Sequence, residues 1–125
     1  MYTEDRQVGS QYEATKDKSV KEIASLIRSE VRKATKQGTI PAEWDYSVRL
    51  HRFAGGQSID IAIAIPDAFR ELRFVDQDAH NLLEATKDFV REIHESFNFY
   101  ESYFPNDGCA RRYFGDVSTW RKAGV

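Results

Sequence analysis

Two groups of residues in this sequence have types and spacings that could support catalysis. His51 and Asp60 lie on neighbouring segments, and an imidazole beside a carboxylate can act in acid–base chemistry. The same pair could equally be a surface hydrogen bond, and we prefer this second interpretation. Cys109 precedes Arg111 and Arg112, whose charges could make the thiol nucleophilic, but a single loop cysteine without a neighbouring histidine is usually incidental. We therefore expect the protein not to be an enzyme.

Patterns that bind metals or phosphates are not found in the sequence. His80 and His94 are fourteen residues apart, which separates them by roughly 21 Å along one helix, too far to share a metal ion. The sequence has no Cys-x-x-Cys, His-x-x-x-His or acidic triplet with ligand spacing. Gly55-Gly56 joins two strand-like segments and is not followed by Lys-Ser/Thr, so a hairpin turn is preferred to a phosphate loop. We predict no metal ion and no cofactor.

Basic and aromatic residues alternate in two parts of the chain, and this mixture is typical of a binding surface. Arginine and tyrosine are enriched in protein–protein hot spots, whereas basic residues beside aromatic rings on a sheet also hold single-stranded nucleic acid. A third interpretation is the packed aromatic end of a core with a solvated rim. We expect a protein partner or self-association, with nucleic acid bound by the arginines as the alternative. The predicted binding residues are Arg49, His51, Arg52, Phe53, Asp60, Tyr103, Phe104, Arg111, Arg112 and Tyr113.

The length and composition are those of one globular domain. The 125 residues suffice for a single two-layer core, and 41% hydrophobic with 30% charged residues argues against wholesale disorder. The net charge of −2 gives no general reason to expect nucleic-acid binding. One cysteine cannot form an internal disulfide, and we find neither a membrane span nor a signal-peptide h-region. The expected location is the cytoplasm.

The elements that would position the binding residues centre on a β-hairpin over residues 45–65. Apolar residues alternate with polar ones on both sides of a loop at residues 53–57, whose Gly-Gly pair suits a turn with positive φ. If the register follows the hydrophobic pattern, Tyr46, Val48 and Leu50 share a face with four isoleucines. The other face is polar and rich in small residues, and we expect it to be open to water or covered by a partner. Its residues are Ser47, Arg49, His51, Ser58, Asp60, Ala62 and Ala64.

Two amphipathic helices are predicted to cover the apolar face of this hairpin. Ser19 and Glu22 form a capping box before a helix over residues 20–37, and Asp76 or Asp78 can cap a second helix over residues 78–98. Each helix carries one apolar stripe at helical spacing. Residues 66–72 fit a short helical turn with Pro66 near its first position.

The rest of the chain gives weaker patterns. Residues 1–18 predict a flexible arm, or alternatively a segment whose Tyr2 and Tyr12 dock onto the domain or a partner. Residues 97–113 predict an aromatic-rich loop with a turn at 105–108, residues 112–120 a third strand, and residues 121–125 a tail. The resulting fold class is α+β, with the order α-β-β-α-β and two layers. We expect one domain over residues 19–120, in which a three-stranded antiparallel sheet carries two helices on one face.

Several runs resemble one known family. The helix from Val20 to Arg28, the strand residues 46–49, the turn RFAGGQSI of residues 52–59 and a closing strand at 112–118 are similar to the large polyvalent protein-associated domain 29 family. The resemblance covers most of residues 19–119. It implies an origin in phages, plasmids or conjugative elements, where a free-standing copy would be a small accessory protein, and it carries no catalytic residues over to this chain.

Overall fold

The chain is a mixed α+β protein. The computed structural model describes residues 2–104 and 108–121, and it places the side chains of residues 7–101 and 110–120. Within these residues, six strands form two three-stranded sheets, accompanied by four helices. The elements in chain order are β1 (Tyr2–Val8), α1 (Tyr12–Thr15), α2 (Val20–Lys36), β2 (Asp45–Phe53), β3 (Gly56–Ile65), α3 (Asp67–Leu72), α4 (Gln77–Ser96), β4 (Phe99–Phe104), β5 (Gly108–Arg111) and β6 (Val117–Arg121).

The predicted hairpin is confirmed as the antiparallel pair β2 and β3. Tyr46, Val48 and Leu50 lie opposite Ile63, Ile61 and Ile59 in turn, so the apolar residues of both strands share one face. The four isoleucines of β3 are 0% exposed. The loop is shorter than predicted, because pairing continues to Phe53 and Gly56 and leaves two residues in the turn. Gly56 has a φ of 151°, which L side chains rarely adopt.

The third strand of this sheet is parallel, so the prediction of a fully antiparallel sheet is wrong for it. Ile61 pairs with Val117 and Ile65 with Arg121, which places β3 between β2 and β6. The connection from β3 to β6 contains α3, α4 and a second hairpin, and it is long enough to return the chain to the starting end of β3. Regular pairing begins at Val117 instead of residue 112; before it, Phe114 forms only an isolated bridge with Ser58.

The second sheet is built from segments for which no strand was predicted. β4 pairs antiparallel with both β1 and β5. Residues 1–18 were expected to be a flexible arm and residues 97–113 a loop, and both expectations are corrected by these strands and by α1. The residues TEDRQ of β1 are polar, so the sequence shows no hydrophobic alternation from which this strand could be predicted. Residues 105–107 of the predicted turn and 122–125 of the predicted tail lie outside the described residues.

Both predicted long helices are confirmed with slightly shorter bounds. The Ser19 hydroxyl accepts a hydrogen bond from the Glu22 backbone N–H at 3.2 Å, and the Asp76 carboxylate accepts one from the Asp78 N–H at 2.9 Å. The short helical turn predicted over residues 66–72 is present as α3, Asp67–Leu72, with Pro66 at its N-cap. The buried stripes of α2 and α4 form one core with the β3 isoleucines. We call the sheet face against these helices the inner face and the opposite one the outer face.

An arginine from α2 protects the free edge of β2. The Ile61 N–H donates to the Asp116 carbonyl on the β6 side, so the polar backbone groups of Val48, which lies opposite Ile61, face away from β3. The Arg28 guanidinium donates to the Val48 carbonyl from Nε at 3.2 Å and from Nη2 at 2.8 Å. A strand edge with a covered acceptor is a poorer template for pairing with another chain.

We predict that Arg28→Ala lowers the free energy of unfolding by about 1 kcal/mol, because a charge-assisted hydrogen bond is lost, and increases aggregation through the β2 edge. Urea unfolding and light scattering measure the two effects. Arg32→Ala, one turn further along α2 and also exposed, is the matched control. Equal stability and aggregation in the two variants would contradict the assignment.

Candidate binding site on the outer sheet face

The outer face of the β2-β3-β6 sheet carries a groove of about 760 Å³, which we call the outer groove. Its floor consists of small side chains on three adjacent strands. Ser47 lies opposite Ala62, and Ala62 lies opposite Ser118; Ala64 extends the floor by one position along β3. The groove exists because strand alternation sends the isoleucines of β3 to the inner face and leaves alanines between them on the outer face.

Larger residues wall the outer groove at its two ends. Asp45 and Trp120 flank Ala64 at one end, since both are paired with it. Trp120 is 61% exposed, and its indole N–H donates to the Ser118 hydroxyl at 2.9 Å. Arg49, Asp60 and Asp116 line the other end. The site therefore combines an exposed indole ring, a shallow floor and charged groups.

The two carboxylates at the charged end have different partners. The Asp60 Oδ2 accepts a hydrogen bond from the Ser58 hydroxyl at 3.1 Å. The Asp116 Oδ1 lies 3.3 Å from Arg91 Nε on α4. Partial burial tends to raise the pKa of Asp116, but the Val117 backbone N–H and the Arg91 guanidinium outweigh it and hold the pKa below its ordinary value of 3.8. Asp116 is therefore a carboxylate at neutral pH.

The His51–Asp60 pair has the geometry of a loose surface contact. His51 Nε2 lies 3.9 Å from Asp60 Oδ2, which is beyond hydrogen-bond distance, and both side chains are substantially exposed. In the register of the hairpin, His51 lies opposite Ser58, and Arg49 lies opposite Asp60. The pair therefore lies on the surface, as we preferred, but its distance is too long for the hydrogen bond of that interpretation and for an oriented acid–base pair.

An aromatic contact marks the hairpin end of the outer face. Phe53 is 50% exposed, and its ring centroid lies 5.9 Å from that of Phe114. The Arg111 guanidinium lies over the Phe114 ring at 5.1 Å and over the Tyr100 ring at 4.9 Å. Arg111 therefore joins the two sheets at the margin of the outer face.

The remaining predicted binding residues occupy three different places. Arg52 lies on the opposite side of β2 from Arg49 because side chains alternate along a strand. Arg112 donates hydrogen bonds to the carbonyls of Thr15, Phe97 and Lys18 and to the Thr15 hydroxyl. Tyr113 is 0% exposed. The side chains of Tyr103, Phe104 and Cys109 lie outside the described residues.

The structure thus brings together Arg49, His51, Phe53 and Asp60 on the outer face, with Arg111 at its margin, and uses Arg112 and Tyr113 to hold the fold. Sequence reasoning missed Trp120 and Asp116. The one sequence signal for Trp120 was the alternation of residues in the predicted third strand. This signal could place Trp120 in the site only once β6 was known to lie next to β3. No feature of the sequence around Asp116 indicated that it would line the site.

A buried polar network supports the outer face from beneath. His94 of α4 is 2% exposed; its Nε2 lies 2.7 Å from the Ile59 carbonyl oxygen and its Nδ1 lies 3.0 Å from Glu95 Oε1. Asn98 donates from Nδ2 to the Tyr113 carbonyl and to Glu95, and the Tyr113 hydroxyl donates to the His94 carbonyl. When Glu95 is ionised, both ring nitrogens of His94 face hydrogen-bond acceptors.

The described residues contain neither a metal-binding cluster nor a helix that could span a membrane. Across residues 2–104 and 108–121, no group of three or more His, Cys, Asp and Glu side chains is arranged to hold a metal ion. No helix in the same part of the chain combines the length and the apolar character that crossing a membrane requires.

We predict that Tyr113→Phe lowers the free energy of unfolding by about 1 kcal/mol, because the His94 carbonyl loses a buried hydrogen-bond donor while the ring still fills its place. Urea unfolding measures the change. Tyr12→Phe is the control, since the ring of Tyr12 makes its contacts with Phe99 and Arg112. An unchanged stability of Tyr113→Phe would show that the hydroxyl does not contribute.

The same network predicts a loss of stability in acid. The hydrogen bond with His94 holds the pKa of Glu95 below its ordinary value of 4.5, although partial burial opposes this effect. A carboxyl group with a lower pKa in the folded state stabilises the fold above its unfolded pKa and loses this contribution as the pH falls through the folded pKa. Unfolding at a series of pH values should therefore show a shallower acid dependence for Glu95→Gln than for Glu92→Gln, an exposed control on α4. Identical pH profiles would contradict the prediction.

Comparisons of the chain with known proteins were made against family models, curated proteins and solved structures. No family model matches the chain, and no curated protein or solved structure matches it either. The resemblance to the large polyvalent protein-associated domain 29 family therefore stays a prediction.

Proposed function

We propose that this protein is a non-enzymatic binding module that holds a protein partner on the outer face of the β2-β3-β6 sheet. The observation that carries the proposal is the outer groove, about 760 Å³ in volume, with a 61% exposed tryptophan at its wall. Tryptophan is among the residues that contribute most to protein–protein binding when a partner buries it. The inner face has its cover in α2 and α4, and the partner would supply a corresponding layer for the outer face.

The size of the outer face suits a protein partner. Phe53 and Asp45 lie at opposite ends of β2, eight residues apart, which corresponds to roughly 27 Å along an antiparallel strand. Exposed rings lie at both ends, Phe53 at one and Trp120 at the other, across Ala64 from Asp45. Small floor residues between them let the backbone of a partner approach closely. Exposed apolar groups with polar neighbours are typical of such interaction sites.

The charges favour a protein partner over nucleic acid. Three aspartates, Asp45, Asp60 and Asp116, line the outer groove together with one arginine, Arg49. Phosphate binding needs a concentration of positive charge. The arginines proposed for nucleic acid are dispersed: one lies in the groove, one on the other side of β2, one between two rings and one among backbone carbonyls. Nucleic-acid binding therefore receives less support than protein binding.

The biological setting that we propose is that of a small accessory protein of a phage or another mobile element. This part of the proposal depends on the family resemblance of the first helix, the hairpin and the closing strand. The geometry of the outer face is independent of it, so the binding role does not depend on the setting.

A site-specific cross-linking experiment tests the binding role. A photoreactive side chain placed at Ser47, on the groove floor, should capture a partner from native cells, whereas the same group at Glu84 on α4 should not. Trp120→Ala should then weaken binding of the purified partner at least tenfold, because an exposed tryptophan that the partner would bury is lost. Calorimetry measures the affinity, and Glu84→Ala serves as the matched control.

Two outcomes would contradict the proposal. One is cross-linking of equal yield from Ser47 and Glu84, which would mean that the outer face is not preferred. The other is an unchanged affinity of Trp120→Ala. Salt-dependent binding of short oligonucleotides that is lost in Arg49→Ala and Arg111→Ala would instead favour the nucleic-acid alternative.

A further inference from the structure

One side of α2 carries a row of exposed cations. At about 100° per residue, four basic side chains fall within roughly 80° of the helix circumference, and they extend over roughly 22 Å along the helix axis. We call them the basic stripe, and its members are Lys21, Arg28, Arg32 and Lys36. The two acidic residues of α2, Glu22 and Glu30, lie outside this sector.

The charges of the basic stripe are not neutralised within α2. No carboxylate lies three or four positions from any of its members in this helix, and Arg28, Arg32 and Lys36 follow one another at i,i+4 spacing. Like charges at this spacing repel each other and destabilise a helix. On α4, by contrast, the Lys87 ammonium lies 3.8 Å from the carboxylate of Glu84, three positions earlier. An anionic partner would relieve the repulsion on α2.

The helix dipole accounts for only one end of the row. Lys36 lies in the last turn of α2, where a positive charge is favourable. Lys21 lies in the first turn, where the same dipole disfavours a positive charge, and Arg28 lies near the middle of the helix. The dipole therefore does not explain why the cations continue along the whole of α2.

A groove of about 400 Å³ lies beside the basic stripe, between α2 and β2. Three arginines and one aspartate supply its charged lining: Arg28, Arg32, Arg49 and Asp45. Ser25 is exposed within the sector of the stripe, and Ser29 is exposed at its margin. Short hydroxyl side chains let a polymer backbone approach the cations, and they can donate to phosphate oxygens.

We propose that the basic stripe binds the phosphate backbone of double-stranded DNA without reading its sequence. Duplex DNA carries one negative charge per about 1.7 Å of its axis, so a straight row of cations meets phosphates along its whole length in any register. An acidic protein segment would instead need carboxylates at matching intervals. At about 0.1 M salt, charges interact over about 10 Å, so the stripe acts locally in spite of the net charge of −2.

The composition of the stripe favours the duplex over two other polyanions. Its sector of α2 presents cations and small hydroxyl residues, whereas proteins that hold single strands also stack the bases on aromatic rings. The apolar stripe of α2 is buried in the core, so the helix has no apolar face to insert into a membrane. The inference goes beyond the proposed function, because it assigns a second ligand to a different surface.

Fluorescence anisotropy with a labelled duplex of mixed sequence, longer than the stripe, tests the proposal. Four cations that each contact a phosphate predict a slope of roughly −3 to −4 for the logarithm of the association constant against the logarithm of the salt concentration. The affinity should therefore fall roughly a hundredfold between about 50 and 200 mM salt.

Two variants and a control locate the contact. Arg32→Ala with Lys36→Ala should weaken binding at least tenfold at about 50 mM salt and make the slope shallower by about 2, because two phosphate contacts are lost. Arg28 is left unchanged because it also holds the β2 edge. Arg32→Lys with Lys36→Arg keeps both charges and should bind like the unchanged protein. Lys87→Ala with Arg91→Ala removes the same charge from α4 and is the matched control, for which the affinity should stay the same.

Three results would overturn the proposal, provided that far-UV circular dichroism shows folded variants. They are an absence of duplex binding at about 50 mM salt, an equal affinity of the stripe variant and the α4 control, and tighter binding of a single-stranded oligonucleotide, polyglutamate or phosphatidylserine vesicles than of the duplex.

The two proposals can fail separately. Loss of duplex binding in Arg111→Ala, with full binding in the Arg32→Ala and Lys36→Ala variant, would overturn the assignment to the stripe and place the DNA on the outer face. The cross-linking at Ser47 and the Trp120→Ala measurement do not involve the stripe, so their results decide the proposed function alone.

Discussion

The structure depends on the burial of one row of isoleucines along the central strand. Ile59, Ile61, Ile63 and Ile65 are fully buried on the inner face of β3. Each such side chain contributes about 1.5–3 kcal/mol when it leaves water, and together they require a cover, which α2 and α4 provide. Because β3 is also paired with β2 from Gly56 to Ala64 and with β6 from Ile61 to Ile65, its conformation is fixed. The outer face is then determined as well, since alternation exposes the residues between the isoleucines.

The end of β3 nearest the turn is held by contacts that leave little freedom. The Ile59 carbonyl lies 2.7 Å from His94 Nε2, and the Ile59 N–H donates to the Phe114 carbonyl at 2.9 Å. Gly115 follows with a φ of 115°, and a Cβ atom at that position would lie 2.0 Å from the Ile59 oxygen. Only glycine meets both requirements. The approach of β6 to β3, and hence the placement of Trp120 beside Ala64, depends on this close passage.

The sequence was informative where hydrophobic periodicity and side-chain caps determine the structure. The hairpin register follows from the alternation around Val48 and Ile61, and the start of α2 follows from Ser19 and Glu22. The parallel pairing of β6 has no such signal, because the direction of a strand is set by the long connection before it. The polar strand β1 also has none, because its pairing with β4 uses backbone groups that every residue carries. Trp120 could be assigned to a strand, but its place in the site required the strand order.

Three consecutive residues that were predicted to bind a partner show that basic and aromatic side chains can stabilise the fold as well as form a site. Arg111 stacks on Tyr100 and Phe114, Arg112 binds carbonyls of α1 and of the segments around it, and Tyr113 enters the core. The chain passes between the two sheets at this point, and the polar groups of this connection must be satisfied there. Residues with large polar side chains are suited to that task, as they are to binding a partner, so composition alone does not separate the two roles. By contrast, the hydrophobic core includes none of the outer-face residues Trp120, Arg49 and Asp60. The candidate site consists of side chains that the fold leaves exposed, and for this reason changes there should alter binding with little effect on stability.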